Sequence, residues 1–129
     1  MNVTTFLMFE GQAEEAMRFY VSLLPGSSIV SIQRYGPGEP GPEGTVKHAL
    51  FDLAGTRYAC IDSPAKHEFT FTPSVSLFVN ADSREQLDDL IGKLSEGGKF
   101  LMPAGDYGFS QWFAWLQDRF GVSWQLNLP

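Results

Sequence analysis

Residues 102–128 have the sequence MPAGDYGFSQWFAWLQDRFGVSWQLNL, in which glycines and short polar segments separate two apolar runs. The two runs, residues 111–117 and 122–128, are rich in aromatic and aliphatic side chains, which is typical of β-strands. Only residues 118–121 lie between them. The stretch therefore predicts two consecutive strands at the end of a β-rich unit.

The residues that precede this stretch predict a strand, a helix and another strand. Residues 74–80 have the composition of a strand, and Asp82-Ser83 followed by Glu85-Gln86 forms a helix start of the capping-box type. The helix would end at Gly97-Gly98, and its apolar stripe consists of Leu87, Leu90, Ile91 and Leu94. With a strand at residues 99–102, the second half of the chain has the predicted order β-α-β-β-β.

The first half of the chain predicts the same order of elements. Residues 3–9 predict a strand, and the helix that follows has Glu14 and Glu15 in its first turn and a stop at Pro25-Gly26. Three more strands are predicted, at residues 27–35, 46–53 and 57–62. The first strands and the helix stripes of the two halves are displaced by about 71 residues, which is consistent with duplication of a half-domain.

These elements predict a single α+β domain over residues 1–129. Its two βαβββ repeats span about 1–66 and 74–129, and residues 67–73 form the natural linker between them. Identities between the halves are few, so the repeat is one of architecture. A chain of 129 residues is long enough to bury a core of its own.

Composition excludes several classes of partner. The net charge is −6, and nine Lys and Arg without a basic run argue against nucleic acid and against an anionic membrane surface. Cys60 is the one cysteine, which rules out an intrachain disulfide and a multi-cysteine metal site. No stretch approaches the roughly 20 apolar residues of a membrane span, and no export signal precedes the first strand. We therefore expect a cytoplasmic protein whose partner is a small molecule or a second copy of itself.

Four sequence motifs carry a family resemblance. They are Phe71-Thr-Pro, Gly97-Gly-Lys-Phe-Leu-Met-Pro, Asp106-Tyr-Gly-Phe-Ser and Asp118-Arg-Phe-Gly-Val-Ser-Trp-Gln-Leu. With the paired modules, they resemble the PhnB-like, or 3-demethylubiquinone-9 3-methyltransferase-like, branch of the vicinal oxygen chelate superfamily, which includes glyoxalase I, extradiol dioxygenases and bleomycin-resistance proteins. The resemblance implies that two βαβββ modules form a glyoxalase-like half-barrel cup, with a pocket inside it, commonly in a homodimer.

The methyltransferase name finds little support in the sequence. A methyltransferase that uses S-adenosylmethionine usually needs a nucleotide-sized cleft at the carboxyl ends of a parallel sheet, and eight strands in paired repeats leave no such sheet. The segment Gly36-Pro-Gly-Glu-Pro-Gly matches G-x-G-x-x-G in letters alone. Pro37 and Pro40 remove backbone donors and no helix pattern follows, so we expect a loop between strands there.

Strand alternation predicts which residues line the cup, because one face of each strand packs on a helix. The residues predicted to face the helices are Ala59, Ile61, Val75, Leu77, Val79, Trp124, Leu126 and Leu128. Those predicted to face the cup are Thr5, Leu7, Phe9, His48, Leu50, Asp52, Tyr58, Cys60, Asp62, Ser74, Ser76, Phe78, Ser123, Gln125 and Asn127. With Tyr107 and Phe109 in a glycine-punctuated rim loop, the predicted ligand-binding residues are Thr5, Cys60, Ser74, Tyr107, Phe109 and Gln125.

Metal-dependent relatives place a histidine or a carboxylate on the first and last strands of each module. By position in the pattern, the corresponding residues here are Thr5, Asp62 or its neighbour Ile61, Ser74 and Gln125. Neutral hydroxyl and amide oxygens do not replace the charge of a carboxylate or the basicity of a histidine. We therefore assign no metal ligand and no cofactor, and this departure weakens the case for glyoxalase-like isomerisation and extradiol dioxygenation.

His48 is the best remaining chemical group, since alternation places it on the cup face of a central strand. Two roles stay open for it: a general base, alone or with Asp62, and a structural histidine satisfied by a neighbouring strand. Two classes of function stay open. The first is a binding or sequestration protein of the drug-resistance type, and the alternative is a metal-independent enzyme in which His48 moves a proton.

Overall fold

A computed structural model describes all 129 residues of the chain. The residues divide into two compact units, residues 1–67 and 68–129. Each unit consists of one four-stranded mixed sheet and one helix in the order β-α-β-β-β. The predicted α+β class with two similar modules is thereby confirmed, and the units are described one at a time.

The first unit contains the elements β1 (Thr5–Phe9), α1 (Ala13–Leu23), β2 (Ser28–Arg34), β3 (Val46–Leu53) and β4 (Thr56–Asp62). Its sheet has the order β1-β4-β3-β2, in which β1 is parallel to β4 and the other pairs are antiparallel. The turn between β3 and β4 uses Ala54 and Gly55, both with positive φ (48° and 89°), as a two-residue hairpin turn requires.

The second unit contains β5 (Ser76–Asn80), α2 (Arg84–Ser95), β6 (Lys99–Gly105), β7 (Trp112–Gln117) and β8 (Ser123–Leu128). Its sheet order, β5-β8-β7-β6, repeats that of the first unit, with β5 parallel to β8. The predicted strand at residues 99–102 is longer than expected and continues to Gly105. It passes Pro103 with irregular pairing to β7, a setting in which a proline is tolerated on an edge strand.

Both helices begin and pack as their sequences predict. In α1 the acidic residues Glu14 and Glu15 occupy the first turn, where the helix dipole favours negative charge. In α2 the side chain of Ser83 accepts a hydrogen bond from the Gln86 backbone N–H, which is the predicted cap. The stripe Leu87, Leu90, Ile91 and Leu94 is buried.

Each sheet has one face covered by its helix, here called the covered face, and an opposite open face. In the first unit the covered face is marked by Asp62, whose carboxylate reaches the first residue of α1, and in the second by Trp112, whose ring contacts Arg84 of α2. From these two residues, the strand registers assign the paired strand residues to one face or the other. They confirm Trp124 and Leu126 as core and His48, Phe78 and Gln125 as open-face residues.

The register corrects the predicted faces of β1 and β4. Leu7 and Phe9 of β1, with Tyr58, Cys60 and Asp62 of β4, lie on the covered face in register with Ala49 and Phe51 of β3. Ala59 and Ile61, predicted to face the helix, lie on the open face. Both faces of β4 carry apolar residues, so alternation alone did not distinguish them.

Two glycines of the second unit predict opposite effects of substitution by alanine. In Gly98→Ala the new Cβ would lie 2.1 Å from the backbone oxygen of Gln117, and a loss of about 1–3 kcal/mol of unfolding free energy is expected. In Gly92→Ala, on the exposed side of α2, the Cβ meets nothing within 4 Å, and a gain of up to about 1 kcal/mol is expected. Urea unfolding of both variants measures the difference. Equal stability of Gly98→Ala and wild type would contradict the close approach before β6.

Candidate functional site

The open face of the second sheet arranges its side chains in three rows across β5, β8 and β7. The rows are Ser76, Ser123 and Gln117; then Phe78, Gln125 and Trp115; then Asn80, Asn127 and Phe113. These nine residues are called the open-face rows below. None of these nine is ionisable. On the neighbouring edge strand β6, Lys99 is in register with Gln117, so one cationic side chain lies at the end of the first row.

The middle row places a free amide between two aromatic rings. The side chain of Gln125 is half-buried and makes no hydrogen bond within the structure. Phe78, its register partner on one side, is 53% exposed. Trp115, its partner on the other side, is half-buried. A carboxamide with unused donors and acceptor beside open aromatic surface is a typical arrangement for orienting a small ligand.

The serine row is internally satisfied. The hydroxyl groups of Ser76 and Ser123 lie 2.7 Å apart, and the indole N–H of Trp115 donates to the Ser123 oxygen at 2.9 Å. These bonds fix the indole relative to β8. They leave Gln125 as the polar group of the middle row that is free to bind.

The asparagine row contains an unmet hydrogen bond. Asn127 is 8% exposed, and its Nδ2 donates to Oδ1 of Asn80 at 2.9 Å. The Oδ1 atom of Asn127 is buried and has no partner. A buried polar atom in this state costs about 1–3 kcal/mol, and such atoms in native proteins often mark a missing partner.

The predicted rim loop folds onto the third row. The ring of Phe109 packs edge-on against Phe113 with centroids 4.9 Å apart, and Tyr107 does so at 6.1 Å. The Tyr107 hydroxyl donates to the Pro103 carbonyl at 2.5 Å, and the Asp106 carboxylate accepts from the Gly108 N–H at 2.9 Å. Phe109 nevertheless stays 62% exposed, so the loop presents an aromatic ring beside the open-face rows.

In the first unit the structure separates the two residues suggested for proton transfer. His48 lies on the open face, half-buried, with its ring centroid 6.5 Å from that of Phe6. Asp62 lies on the covered face, 2% exposed, and its carboxylate accepts from the backbone N–H groups of Gly11, Ala13 and Val46 at 2.7, 2.9 and 2.9 Å. The side chains of His48 and Asp62 therefore do not pair, because they lie on opposite faces of the sheet.

Three other predicted site residues lie off the open faces. Thr5 pairs with Tyr58 on the covered side of β1, and Cys60 is fully buried against the helix side. Ser74 precedes β5 in a turn, where its backbone N–H donates to the Thr72 hydroxyl oxygen at 3.2 Å. The register of β1 and β4 thus places Thr5 and Cys60 on the face opposite to the predicted one, and Ser74 lies outside β5.

The four positions that hold a metal in metal-dependent relatives do not fit a divalent ion here. Thr5 and Asp62 lie on the covered face, and the neighbour Ile61, which does face the open side, has a hydrocarbon side chain. Ser74 lies in the turn before β5 and offers a neutral hydroxyl. Gln125 offers one neutral oxygen. No group of three or more histidine, cysteine or carboxylate side chains in the structure is close enough to hold a metal ion.

The buried position of Cys60 predicts how its thiol reacts with a labelling reagent. Burial raises the pKa of its thiol to about 12, and the Asp62 carboxylate adds a smaller increase. Because the thiolate is the reactive form, we expect no labelling by a disulfide reagent in the native protein at mildly alkaline pH and full labelling in concentrated guanidinium chloride. Rapid labelling of the native protein would contradict the burial of β4.

Each unit also carries a cavity formed largely by its loops. In the first unit a cavity of about 170 Å³ is lined by Glu10, Gly11, Pro42, Thr45, Asp62 and residues 63–66. In the second, a shallow depression of about 270 Å³ is lined by residues 97–99, 117–119 and Gly121. In both, the buried aspartate at the wall already bonds to backbone N–H groups, so neither offers a free buried polar group.

The sequence did not single out Asn80, Phe113 or Trp115 as site residues. Their common signal is position: Phe113 and Trp115 share the alternation of Gln117 on β7, and Asn80 follows Phe78 by two residues. The aromatic run 112–115 hid this signal because both faces of β7 are apolar.

Neither α1 nor α2 has the length and apolar character that a bilayer-crossing helix needs.

Solved structures share this fold. A glyoxylase/bleomycin resistance protein/dioxygenase domain from Frankia sp. EAN1pec is 17% identical, with 99% of this chain and 96% of that chain covered and a TM-score of 0.67. At this identity the likeness shows the fold alone. It confirms the glyoxalase-like fold, which the sequence predicted from its two βαβββ modules.

Two closer comparisons and a family model define the relationship further. A family model described as 3-demethylubiquinone-9 3-methyltransferase matches residues 1–127. A PhnB protein from Bacillus cereus is 55% identical over 100% of both chains with a TM-score of 0.98. Protein PA1353 from Pseudomonas aeruginosa is 27% identical, with 99% of this chain and 97% of that chain covered and a TM-score of 0.85. The chain therefore belongs to the PhnB-like 3-demethylubiquinone-9 3-methyltransferase family, as its motifs predicted. A search of curated proteins gives no match.

Proposed function

We propose that this protein binds a small uncharged organic molecule on the open face of its second sheet, with no tightly held metal and without changing a bond in the ligand. The observation that carries the proposal is Gln125, a half-buried carboxamide without a hydrogen bond, between Phe78 and Trp115. Apolar surface supplies affinity in such sites and a few polar groups fix orientation.

The polar inventory of the open-face rows favours a neutral ligand. A charged ligand group entering a half-buried site needs an opposite charge or several donors to compensate for lost hydration. The open-face rows supply neutral amides and hydroxyls, of which the serines already pair with each other and with Trp115. The net charge of −6 adds a weak preference against anions.

The sheet topology argues against methyl transfer, the reaction that the family description names. The site contains no nucleotide-sized cleft at the carboxyl ends of a parallel sheet, since each sheet has a single parallel pair. Methyl transfer by this chain is therefore not part of the proposal. The proposal that no metal is tightly held rests on four positions. Thr5, Ser74 and Gln125 are neutral, and the Asp62 carboxylate, next to Ile61, already accepts from three backbone N–H groups.

The second candidate is a metal-independent isomerase or lyase-type enzyme that uses His48 for proton transfer. It is favoured by the half-buried position of His48 on the open face of the first sheet, near Phe6. Without Asp62, which bonds to three backbone N–H groups, His48 has no carboxylate to orient it from that strand. We therefore rank binding ahead of proton transfer.

We further propose a cytoplasmic homodimer. Large apolar side chains on both units are exposed, including Phe6, Val75, Phe78 and Phe69 at 53%, 66%, 53% and 64%. Apolar side chains exposed in this number are typical of association or ligand surfaces. Light scattering at micromolar concentration tests the dimer, and a monomer would contradict it.

A thermal-shift screen of neutral organic compounds tests the function. A compound that raises Tm should be recovered chemically unchanged after long incubation with excess protein, and His48→Ala should leave its Kd unaltered. Conversion of the compound, lost in His48→Ala while binding persists, would replace sequestration by the enzyme account.

A further inference from the structure

The open-face rows present an unused pair of hydrogen-bonding groups beside a second unused acceptor. Gln125 has a free carboxamide, and Asn127, two residues further along β8, has the buried Oδ1 without a partner. Residues two apart in a strand point to the same side and are roughly 6.6 Å apart. Both side chains therefore project from the same side of β8, with the Gln125 amide half-buried and the Asn127 amide 8% exposed.

A carboxamide is complementary to one particular ligand edge. The side chain of Gln125 has an N–H donor and a carbonyl acceptor side by side. A lactam, in which a ring holds the N–H and the C=O on the same edge, can form two parallel hydrogen bonds with it. A second ring N–H on the ligand would add a donor on the side toward Asn127.

The position of Asn127 is fixed by its neighbour. Its Nδ2 already donates to Asn80 at 2.9 Å, which holds the amide in place. Rotating the amide by a half-turn would exchange the two atoms, and the NH₂ group would then have the unmet bond. One polar atom of Asn127 lacks a partner in either orientation. Because that atom is buried, a ligand reaches it only when the neighbouring side chains move.

The aromatic groups favour a flat ligand. Phe78 and Trp115 flank Gln125 in the middle row, and Phe109 is 62% exposed beside the third row. Planar rings stack favourably against such side chains in offset or edge-on geometry. A flexible aliphatic ligand would gain less from these rings than a planar ring would.

We propose that the molecule bound on this open face is a planar ring with a lactam or imide edge, which pairs with Gln125 and extends toward Asn127. This inference rests on the proposed function, because it names the chemical class of the ligand at the same site. The edge pairing makes the N–H of the ligand essential.

A matched pair of probes tests the edge pairing. The probes are 2-quinolone and N-methyl-2-quinolone, which share ring and carbonyl and differ in the N–H. In titrations followed by the Trp115 indole and Gln125 side-chain amide signals in NMR, 2-quinolone should bind about tenfold more tightly than its N-methyl analogue. In Gln125→Leu, followed by the Trp115 indole signal alone, the preference should fall below about threefold. Gln33→Leu, an exposed glutamine on β2 of the first unit, should keep the wild-type preference.

The possible results distinguish a wrong ligand class from a wrong binding site. Equal Kd values for the two probes, with shifts on the open-face rows, would overturn the lactam inference and leave the proposed function standing. An unchanged preference in Gln125→Leu would also overturn it. If neither probe shifts these signals but a neutral compound of another class does, the inference fails alone. If no compound of any class shifts them, both fail.

Discussion

Replacing Asp62 by alanine is expected to lower the free energy of unfolding by about 3–5 kcal/mol. The carboxylate accepts from three backbone N–H groups that lie in the turn before α1, in its first residue and at the start of β3. Without it, these donors have no partner in a buried place. Urea unfolding with a constant slope measures the change.

Two further variants show that the loss comes from this geometry. Asp62→Asn keeps one acceptor but turns an NH₂ group toward a backbone N–H, so an intermediate loss is expected. Asp52→Asn, a control that removes the exposed ion pair with Arg57, should cost less than about 1 kcal/mol. An Asp62→Ala protein within the error of wild type would contradict the structural role assigned to Asp62.

Replacing Asp118 by alanine is expected to have the second large effect, a loss of about 3–4 kcal/mol. Asp118 is 4% exposed, and its Oδ1 accepts from the backbone N–H groups of Phe120 and Val122 at 2.8 and 3.0 Å. Its Oδ2 accepts from the indole N–H of Trp124 at 2.9 Å. The residue closes the β7-β8 turn and fixes a core tryptophan.

The indole contribution can be measured separately. Trp124→Phe keeps an aromatic ring in the core and removes the donor, so its loss should be smaller than that of Asp118→Ala. Asp106→Asn, in which the exposed rim-loop carboxylate is altered, is the matched control with an expected change below about 1 kcal/mol. A loss from Asp118→Ala no larger than that of the control would contradict the closed turn.

The sequence predicted element order well because each helix has a buried stripe and a defined start. The cap at Ser83 and the stripe of α2 are local signals, and both are found in the structure. Strand faces were predictable on β8, where Gln125 and Asn127 alternate with Trp124 and Leu126. They were not predictable on β4, because Tyr58 and Cys60 are as apolar as Ala59 and Ile61.

The residues of the candidate site could be predicted only in part, because which side chains are neighbours depends on how the strands pair. Gln125 was predicted from its place on β8, and the exposed rim aromatics Tyr107 and Phe109 from their glycine-rich loop. The rows appear only when β5, β8 and β7 are set in register. Asp62 was misplaced for the same reason: its three partners come from residues 16 to 51 positions away.

The central claim is that a small neutral molecule binds on the open-face rows of the second sheet. Its most direct measurement is the amide and indole NMR spectrum of the protein titrated with a compound that raises Tm. We expect the largest shifts at the Trp115 indole and the Gln125 side-chain amide, and loss of binding in Gln125→Lys. Shifts confined to the first-unit cavity around residues 42–45 and 63–66, with binding intact in Gln125→Lys, would contradict the claim.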